Sequence, residues 1–470
     1  MADNDNKNHK ALNRLFTSAF IFLYIFSCVL FVYLNSKPDE LTNILQKGSI
    51  TVITRNNPQC YMLDKDQIMG FEYELAKLFA DYLGVDLKIN PDEKWDSMIS
   101  ALNSGRGSFI AANMTITNKR QQQAAFSNGY ISTRQYVIVR RNNTDIKKVE
   151  DLAGKTVHVR KGTSYQKRLE LIKKDGIDIT IKLHDNTPTY ELIQQVAKRT
   201  IEATVADQNI ALFNRKYYPR ATPAFPISDD QYLGWAVKQS SKKLLNKINL
   251  FFDKINANGK FDEIYNKYYA GIDNFDYVDL IKYHIRLKTR LPKYRPIIME
   301  AAEKHDFDWK LIAAQIYQES HFDPLAASHS GAFGLMQLMF STAASLGVED
   351  LFDPVQNINA GVLYLKILYD HFDKADSPDR LYLALAAYNI GQGHILDARN
   401  LARQTNLDPD KWQSLKKTLP LLQYRKYYKN SKYGYCIGTQ TLNYIKQIML
   451  YYDILQHREK YHLTAAMKNN

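Results

Sequence analysis

The segment Ile312-Ala-Ala-Gln-Ile-Tyr-Gln-Glu-Ser-His-Phe-Asp-Pro324 decides how the C-terminal half of the chain is read. Ile312, Ile316 and Glu319 fall at i, i+4 and i+7, so on a helix the carboxyl shares a face with side chains bound for a core. A carboxyl pressed against apolar groups loses hydration of its charged form, and its pKa rises. An acid still protonated near neutral pH is what general-acid cleavage of a glycosidic bond requires. A helix-end glutamate that flanks a core without doing chemistry fits the same segment.

Two further segments bear on that choice. Gly331-Ala-Phe-Gly334-Leu-Met-Gln337-Leu-Met339 follows after a short loop, and Ala386-Ala-Tyr388-Asn389-Ile-Gly391 comes some fifty residues later. With Glu319-Ser320 and Ser328 they resemble, in order and spacing, the signature of the soluble-lytic-transglycosylase family, over roughly residues 290–460. The resemblance implies an all-α, goose-type-lysozyme-like domain.

Composition sets the frame. A chain of 470 residues with 45% hydrophobic side chains is long enough for two or three domains with substantial cores. The formal charge is +13 and the pI near 9.2. That suits nucleic acid, an anionic membrane surface or an anionic polymer. No zinc-finger, basic-zipper or RNA-binding signature is present, so no nucleic-acid partner is expected. Cell-wall glycan bearing acidic peptides fits Glu319 better, although a generally basic surface needs no partner. Cys28, Cys60 and Cys436 give neither a disulfide framework nor metal-ligand spacing. No metal and no cofactor are expected.

Residues 15–34 form the one membrane-grade run, preceded by Lys7, Lys10 and Arg14. The flanking charge places the chain beyond Asn35 outside the cytoplasm. The run is long for a secretory signal and lacks a clear cleavage site; Ile25-Phe-Ser-Cys28 only loosely resembles a lipoprotein box. An uncleaved anchor is the preferred reading and a removed signal the alternative; both place the bulk in the periplasm, membrane-associated.

From about residue 40 to 270, short strands alternate with helices. Residues 49–54 read as a strand. Phe71, Leu75, Leu78, Phe79 and Tyr82 form a helical stripe closed by Gly84, and residues 85–89 form the next strand. A helix over 95–102 and a strand from Phe109 come next, which indicates parallel βαβ units that bind ligands at the carboxyl ends of their strands. Gly70-Phe-Glu-Tyr-Glu-Leu-Ala-Lys77, Asn113-Met-Thr115-Ile-Thr117-Asn-Lys-Arg120 and Leu233-Gly-Trp-Ala-Val-Lys238 resemble the amino-acid-binding family of solute-binding proteins, whose two lobes are joined by a strand hinge. The resemblance implies that Arg120 and Thr115 grip a ligand α-carboxylate. Thr163 and Ser164, in Lys161-Gly-Thr-Ser164, assist from the second lobe. Asp207 pairs with a ligand amine and Tyr61 walls the site. A bidentate guanidinium suits a carboxylate physically. Ser108 stands where that family usually has aspartate.

The organisation expected is therefore a tail and membrane segment over 1–36, a two-lobed α/β periplasmic-binding-protein-like domain over 37–270, a connector over 271–295 and an all-α lysozyme-like catalytic domain over 296–470. This order resembles the membrane-bound lytic murein transglycosylase F family over nearly the whole chain, a resemblance that implies peripheral attachment to the outer membrane, whereas an uncleaved run over 15–34 implies an inner-membrane anchor. Asp323, before Pro324, reads as a turn residue, which leaves Glu319 as the lone acid. The family route needs one. Glu319 protonates the oxygen between N-acetylmuramic acid and N-acetylglucosamine, then takes the muramyl C6 proton as a 1,6-anhydro ring closes.

By resemblance, Ser328 orients the acid or the N-acetyl group, Gln337 and Met339 line the groove, Tyr388 and Asn389 lie near acid and sugar, and Tyr444 closes the site. A phenol at Tyr388 is suited to holding the carboxylate or the developing charge. Phe340 replaces a usual proline, and Gln440 replaces a usual glutamate four residues before Tyr444, which would loosen that side of the groove. The front domain is expected to sense an amino acid or muropeptide and to regulate the rear one. A glycan-gripping receptor without catalysis and a water-using muramidase are the alternative functions.

Overall fold

The computed structural model describes residues 25, 27, 38–57, 59–64, 67–91, 95–270 and 277–468. The expected membrane segment over 15–34 and Cys28 otherwise lie outside these residues. Among the described residues, no helix is long and apolar enough to cross a membrane. Two compact units result, Met1–Asp273 and Asn274–Asn470.

The first unit contains two five-stranded sheets. One runs in the order Asp86–Pro91, Ser49–Thr54, Phe109–Ile110, Ala236–Val237, Ala125–Phe126. Ser49–Thr54 pairs in parallel with both neighbours, as the βαβ pattern predicts. Between these strands the helix Phe71–Leu83 buries Phe71, Leu75 and Phe79 and ends on Gly84 in the left-handed region. The second sheet runs Thr180–His184, Thr156–Arg160, Ala203–Asp207, Gln135–Arg140, Ala221–Pro226.

Neither sheet is wholly parallel. Ala236–Val237 is antiparallel to both neighbours, and so is Gln135–Arg140. The chain leaves the first sheet after Phe126, builds the second, and returns to the first at Ala236. Both crossings run through one short antiparallel ladder, Ile131–Thr133 with Gln231–Leu233. Strand propensity read from sequence cannot register such a return, because pairing partners lie far apart along the chain.

A buried acid ties both crossings to the first sheet. Glu72 is fully buried and accepts from Asn113 N and Tyr130 Oη, each at 2.5 Å, and from Trp235 Nε1 at 2.9 Å. Tyr130 precedes one crossing strand and Trp235 follows the other. Burial raises the Glu72 pKa, and the three donors oppose the rise.

The second unit is helical except for one two-stranded hairpin, Ala332–Phe333 with Leu338–Met339, so the expected all-α domain is corrected by a small sheet. Gly334 (φ +78°) and Gln337 (φ +50°) make the turn. A Cβ on Gly334 would lie 2.3 Å from the Leu351 carbonyl oxygen, so only glycine fits there. The helix Trp309–Ser320 is buried on nearly all sides, with Ile312, Ile316 and Tyr317 fully inaccessible. It packs along the long C-terminal helix Gly438–Lys468, which buries Ile445, Ile448 and Leu455.

The expected connector is almost wholly helical over its described residues. Of residues 271–295, Tyr277–Thr289 is a helix of the second unit and Leu291–Lys304 begins the next. Its Tyr283 is fully buried and donates to the Tyr451 carbonyl at 2.8 Å. Its Asp279 accepts from Tyr317 Oη at 2.9 Å and Tyr451 Oη at 2.5 Å. Through these contacts the helix docks on two other helices of the same unit.

Trp235→Phe keeps the apolar packing but removes one donor from the buried Glu72 carboxyl. We expect a loss of about 1.5–3 kcal/mol, the range for a hydrogen bond to a charged group. The loss should grow as pH rises, because burial raises the Glu72 pKa and the ionised form most needs that donor. Urea unfolding of the full chain followed by circular dichroism at two pH values measures it.

Candidate functional site

Glu319 occupies the last turn of Trp309–Ser320, where the helix dipole adds to the difficulty of placing negative charge. The residue keeps an edge open to solvent, yet burial pushes its pKa from 4.5 up to about 7. Its carboxyl makes one hydrogen bond among the described residues, from Tyr444 Oη at 2.5 Å, which favours the ionised form. No charged side chain shifts it. Tyr444 is 6% exposed and comes from the C-terminal helix. Gln440 is exposed, so the pairing of Tyr444 with Glu319 does not lean on it.

Tyr388 lies close enough for the Glu319 charge to raise its own pKa. Its hydroxyl, however, donates to the Met336 carbonyl at 2.8 Å. The phenol that holds the carboxyl is therefore Tyr444, where the sequence suggested Tyr388. Asn389 Oδ1 accepts from Thr441 Oγ1 at 2.8 Å, joining the Tyr388 helix Asp379–Ile390 to the helix of Tyr444. Gln337 Nε2 donates to the carbonyls of Ala326 (3.0 Å) and Gly334 (2.9 Å). Gln337, Met339, Tyr388, Asn389 and Gly391 line one cavity of about 260 Å³, together with Tyr364. Met339 is 44% exposed and Phe340, in the proline position, opens the helix Phe340–Ser345.

Ser328 makes no hydrogen bond to the carboxyl. Its hydroxyl accepts from Ala332 N at 2.9 Å and shares a hydrogen with Ser330 Oγ at 3.0 Å, so it shapes the hairpin base. Asp323 likewise stays in its turn, accepting from Leu325 N. A larger cavity, about 310 Å³, is lined by Asp279, Lys282, Gln318, His321, Gln447 and Tyr451 and contains none of the motif side chains.

Two residues of this site were not read from sequence. Tyr364 packs on Tyr388 with ring centroids 5.3 Å apart. Gln315 is fully buried one turn before Glu319 and approaches the Tyr444 hydroxyl. A polar residue on the apolar face, four before the acid, was the available signal.

Of the expected ligand residues, the first unit brings Arg120 within electrostatic reach of Asp207 and onto the Thr115 carbonyl. Arg120 Nη1 donates to the Thr115 carbonyl at 2.8 Å, and its guanidinium stands over the Trp95 ring. Burial lowers its pKa to about 10, against the pull of Asp207. Asp207 ends the strand Ala203–Asp207 and is 2% exposed. Its Oδ2 accepts from Tyr165 Oη at 2.9 Å, and its Oδ1 is buried without a partner. Burial raises its pKa to about 7, although Tyr165, Arg120 and Arg55 all favour the charge. Thr163 caps the helix Ser164–Lys174, accepting from Gln166 N and donating to the Arg160 carbonyl. Ser164 opens that helix; the neighbouring Gly162 N–H already donates to Gln166 Oε1. Tyr61 packs edge-on against Tyr73. Tyr165, Trp95 and Arg55 were not read from sequence as parts of this cleft. Among the described residues, no group of His, Cys, Asp and Glu could hold a metal ion, and Cys60 and Cys436 are free and buried.

Residues 50–271 match the family described as bacterial extracellular solute-binding proteins, family 3, and residues 296–411 match the transglycosylase SLT domain. The chain is 53% identical over 421 residues to the membrane-bound lytic murein transglycosylase F of Desulfosudis oleivorans, covering 89% of this chain and 92% of that one. It is 37% identical over 438 residues to the protein of the same name from Pseudomonas syringae pv. tomato (93% and 87% covered). Identity is also 37% over 424 residues to that of Saccharophagus degradans (90% and 85%). With a relative above half identity along nine-tenths of its length, the chain belongs to the membrane-bound lytic murein transglycosylase F family.

Proposed function

We propose that this protein cleaves murein as a lytic transglycosylase, with Glu319 as the one catalytic carboxyl. The observation that carries the reading is the Glu319 environment: a buried carboxyl whose hydrogen bond comes from a neutral phenol, with no second acid beside it among the described residues, so that burial pushes its pKa up to about 7. Two-carboxylate glycosidases need a partner acid to activate water or attack carbon. Here the substrate supplies the second group.

In the first step the protonated carboxyl of Glu319 gives its proton to the glycosidic oxygen between N-acetylmuramic acid and N-acetylglucosamine, and the C1–O bond breaks. The carboxylate then accepts the proton of the muramyl C6 hydroxyl as that oxygen bonds C1. The acid is regenerated and no water is consumed. A pKa near the working pH serves both steps, because the group must donate and then accept. Tyr444 steadies the anionic half of the cycle, and the cavity lined by Gln337, Met339, Tyr388 and Asn389 supports a sugar-binding role for those residues. Ser328 acts in this reading through the hairpin base that carries Gln337 and Met339.

Peptidoglycan is the substrate, and the protein works membrane-bound outside the cytoplasm, held by the apolar residues 15–34. The first unit binds a small ligand through Arg120 and Asp207, for a carboxylate and an amine respectively, with Thr115, Thr163, Ser164 and Tyr61 around them. Ligand binding regulates turnover only so far as open and closed lobes bind it differently.

Glu319→Gln should lower release of 1,6-anhydromuramyl fragments from purified sacculi by about 10³-fold, read by mass spectrometry. Products one water heavier from the wild type would instead mark a hydrolytic muramidase. Tyr444→Phe removes a hydrogen bond that favours the carboxylate, so the Glu319 pKa should rise further. Activity that falls as pH climbs through about 7 in the wild type should then fall roughly one pH unit higher, visible in a kcat/KM profile. In the first unit an ammonium needs ionised Asp207, so amino-acid affinity should weaken about tenfold one pH unit below the Asp207 pKa of about 7, by calorimetry.

A further inference from the structure

The ligand cleft of the first unit holds one more cation than a simple amino acid uses. Arg55 directly follows the strand Ser49–Thr54, at the carboxyl end where a parallel sheet presents its ligand side. Its guanidinium carbon lies 4.6 Å from the Trp95 ring centroid, and that of Arg120 lies 5.1 Å from the same centroid. The Arg55 charge also reaches Asp207 and Tyr165 across the cleft. Arg55, Trp95, Arg120, Tyr165 and Asp207 therefore border one space.

Arg55 is poorly satisfied there. Its near polar neighbour is the Cys60 thiol, its Nε is buried without an acceptor, and no carboxylate among the described residues is within ion-pair distance. Glu72 does not serve as its counter-ion. Both Glu72 oxygens are taken by Asn113, Tyr130 and Trp235, and burial holds that acid towards its neutral form. Arg120 spends one N–H on the Thr115 carbonyl and keeps the rest of its fork for the cleft. Among the described residues a single carboxylate stands opposite them, Asp207, with a buried and unpartnered Oδ1.

The inventory is thus two guanidinium groups and one carboxylate. A neutral amino acid places its carboxylate on one arginine and its ammonium on Asp207, and leaves the second arginine, with its buried Nε, without a carboxylate partner among the described residues. We infer that the cleft is built for an amino acid with an acidic side chain, whose second carboxylate is received by Arg55 over the Trp95 ring. Guanidinium is suited to this because it can stack on the indole and still direct its N–H fork at a carboxylate. The inference rests on the amino-acid reading of Arg120 and Asp207 and narrows it to a dicarboxylic class.

Isosteric pairs test it. Binding of glutamate against glutamine, and aspartate against asparagine, in both D and L forms, is measured by calorimetry on the full chain at pH 8. At least one acid should bind ten or more times tighter than its amide. Arg55→Met, which keeps a long side chain against Trp95, should erase that preference while leaving the amide's affinity within about threefold; Arg55→Lys should retain part of it. Thermal unfolding of each variant at the wild-type temperature shows that the cleft is intact. Equal or tighter binding of every amide by the wild type overturns the inference and leaves the amino-acid reading standing, as does a preference that survives Arg55→Met. Failure of all these ligands, together with leucine, to bind the wild type at millimolar concentration removes the amino-acid reading and this inference with it.

Discussion

A proton held between Tyr444 and Glu319 is the constraint on which the second unit turns. The two residues lie on helices that pack along each other, so their 2.5 Å hydrogen bond is a consequence of the core and not of a loop. Burying an acid at the C-terminal end of a helix makes its charge expensive. A single neutral donor offsets part of that penalty without overwhelming it. A stronger partner such as arginine would lock the carboxylate and leave no acid to donate; a wholly apolar pocket would leave no usable base.

The first unit reaches a similar pKa by a different balance. Asp207 also titrates near 7, yet it faces two guanidinium groups and a tyrosine. Burial outweighs all three. In the second unit there is no opposing charge, and less burial suffices for the same result. On the proposed function, Glu319 is thereby suited to exchanging protons with a substrate, and Asp207 to gaining its full charge only when an ammonium arrives. Raised carboxylate pKa values weaken the fold as pH rises through them, so both sites lower stability near neutrality in exchange for function.

Glu72 shows the third use of a buried acid, a purely structural one. Three donors close around it, and two of them flank the strands by which the chain passes between sheets. The crossing ladder Ile131–Thr133 with Gln231–Leu233 is short, and this anchor fixes where it begins and ends.

Local chemistry was legible in the chain alone: the apolar face bearing Glu319, the helix stripe from Phe71 and its stop at Gly84, and the parallel strand pairs around Ser49–Thr54. These arise from periodicity and backbone preference within a few residues, where neighbours in sequence are neighbours in space. Tertiary structure alone decided that Tyr444, 125 residues from Glu319, and not Tyr388, holds the carboxyl. It also decided that Ser328 shapes a hairpin, that residues 277–289 belong to the helical unit, and that Arg55 and Trp95 join Arg120 in one cleft. Hydrogen bonds and burial depend on distance through space, and no spacing along a chain encodes which of several tyrosines or arginines a fold will bring to a given carboxylate.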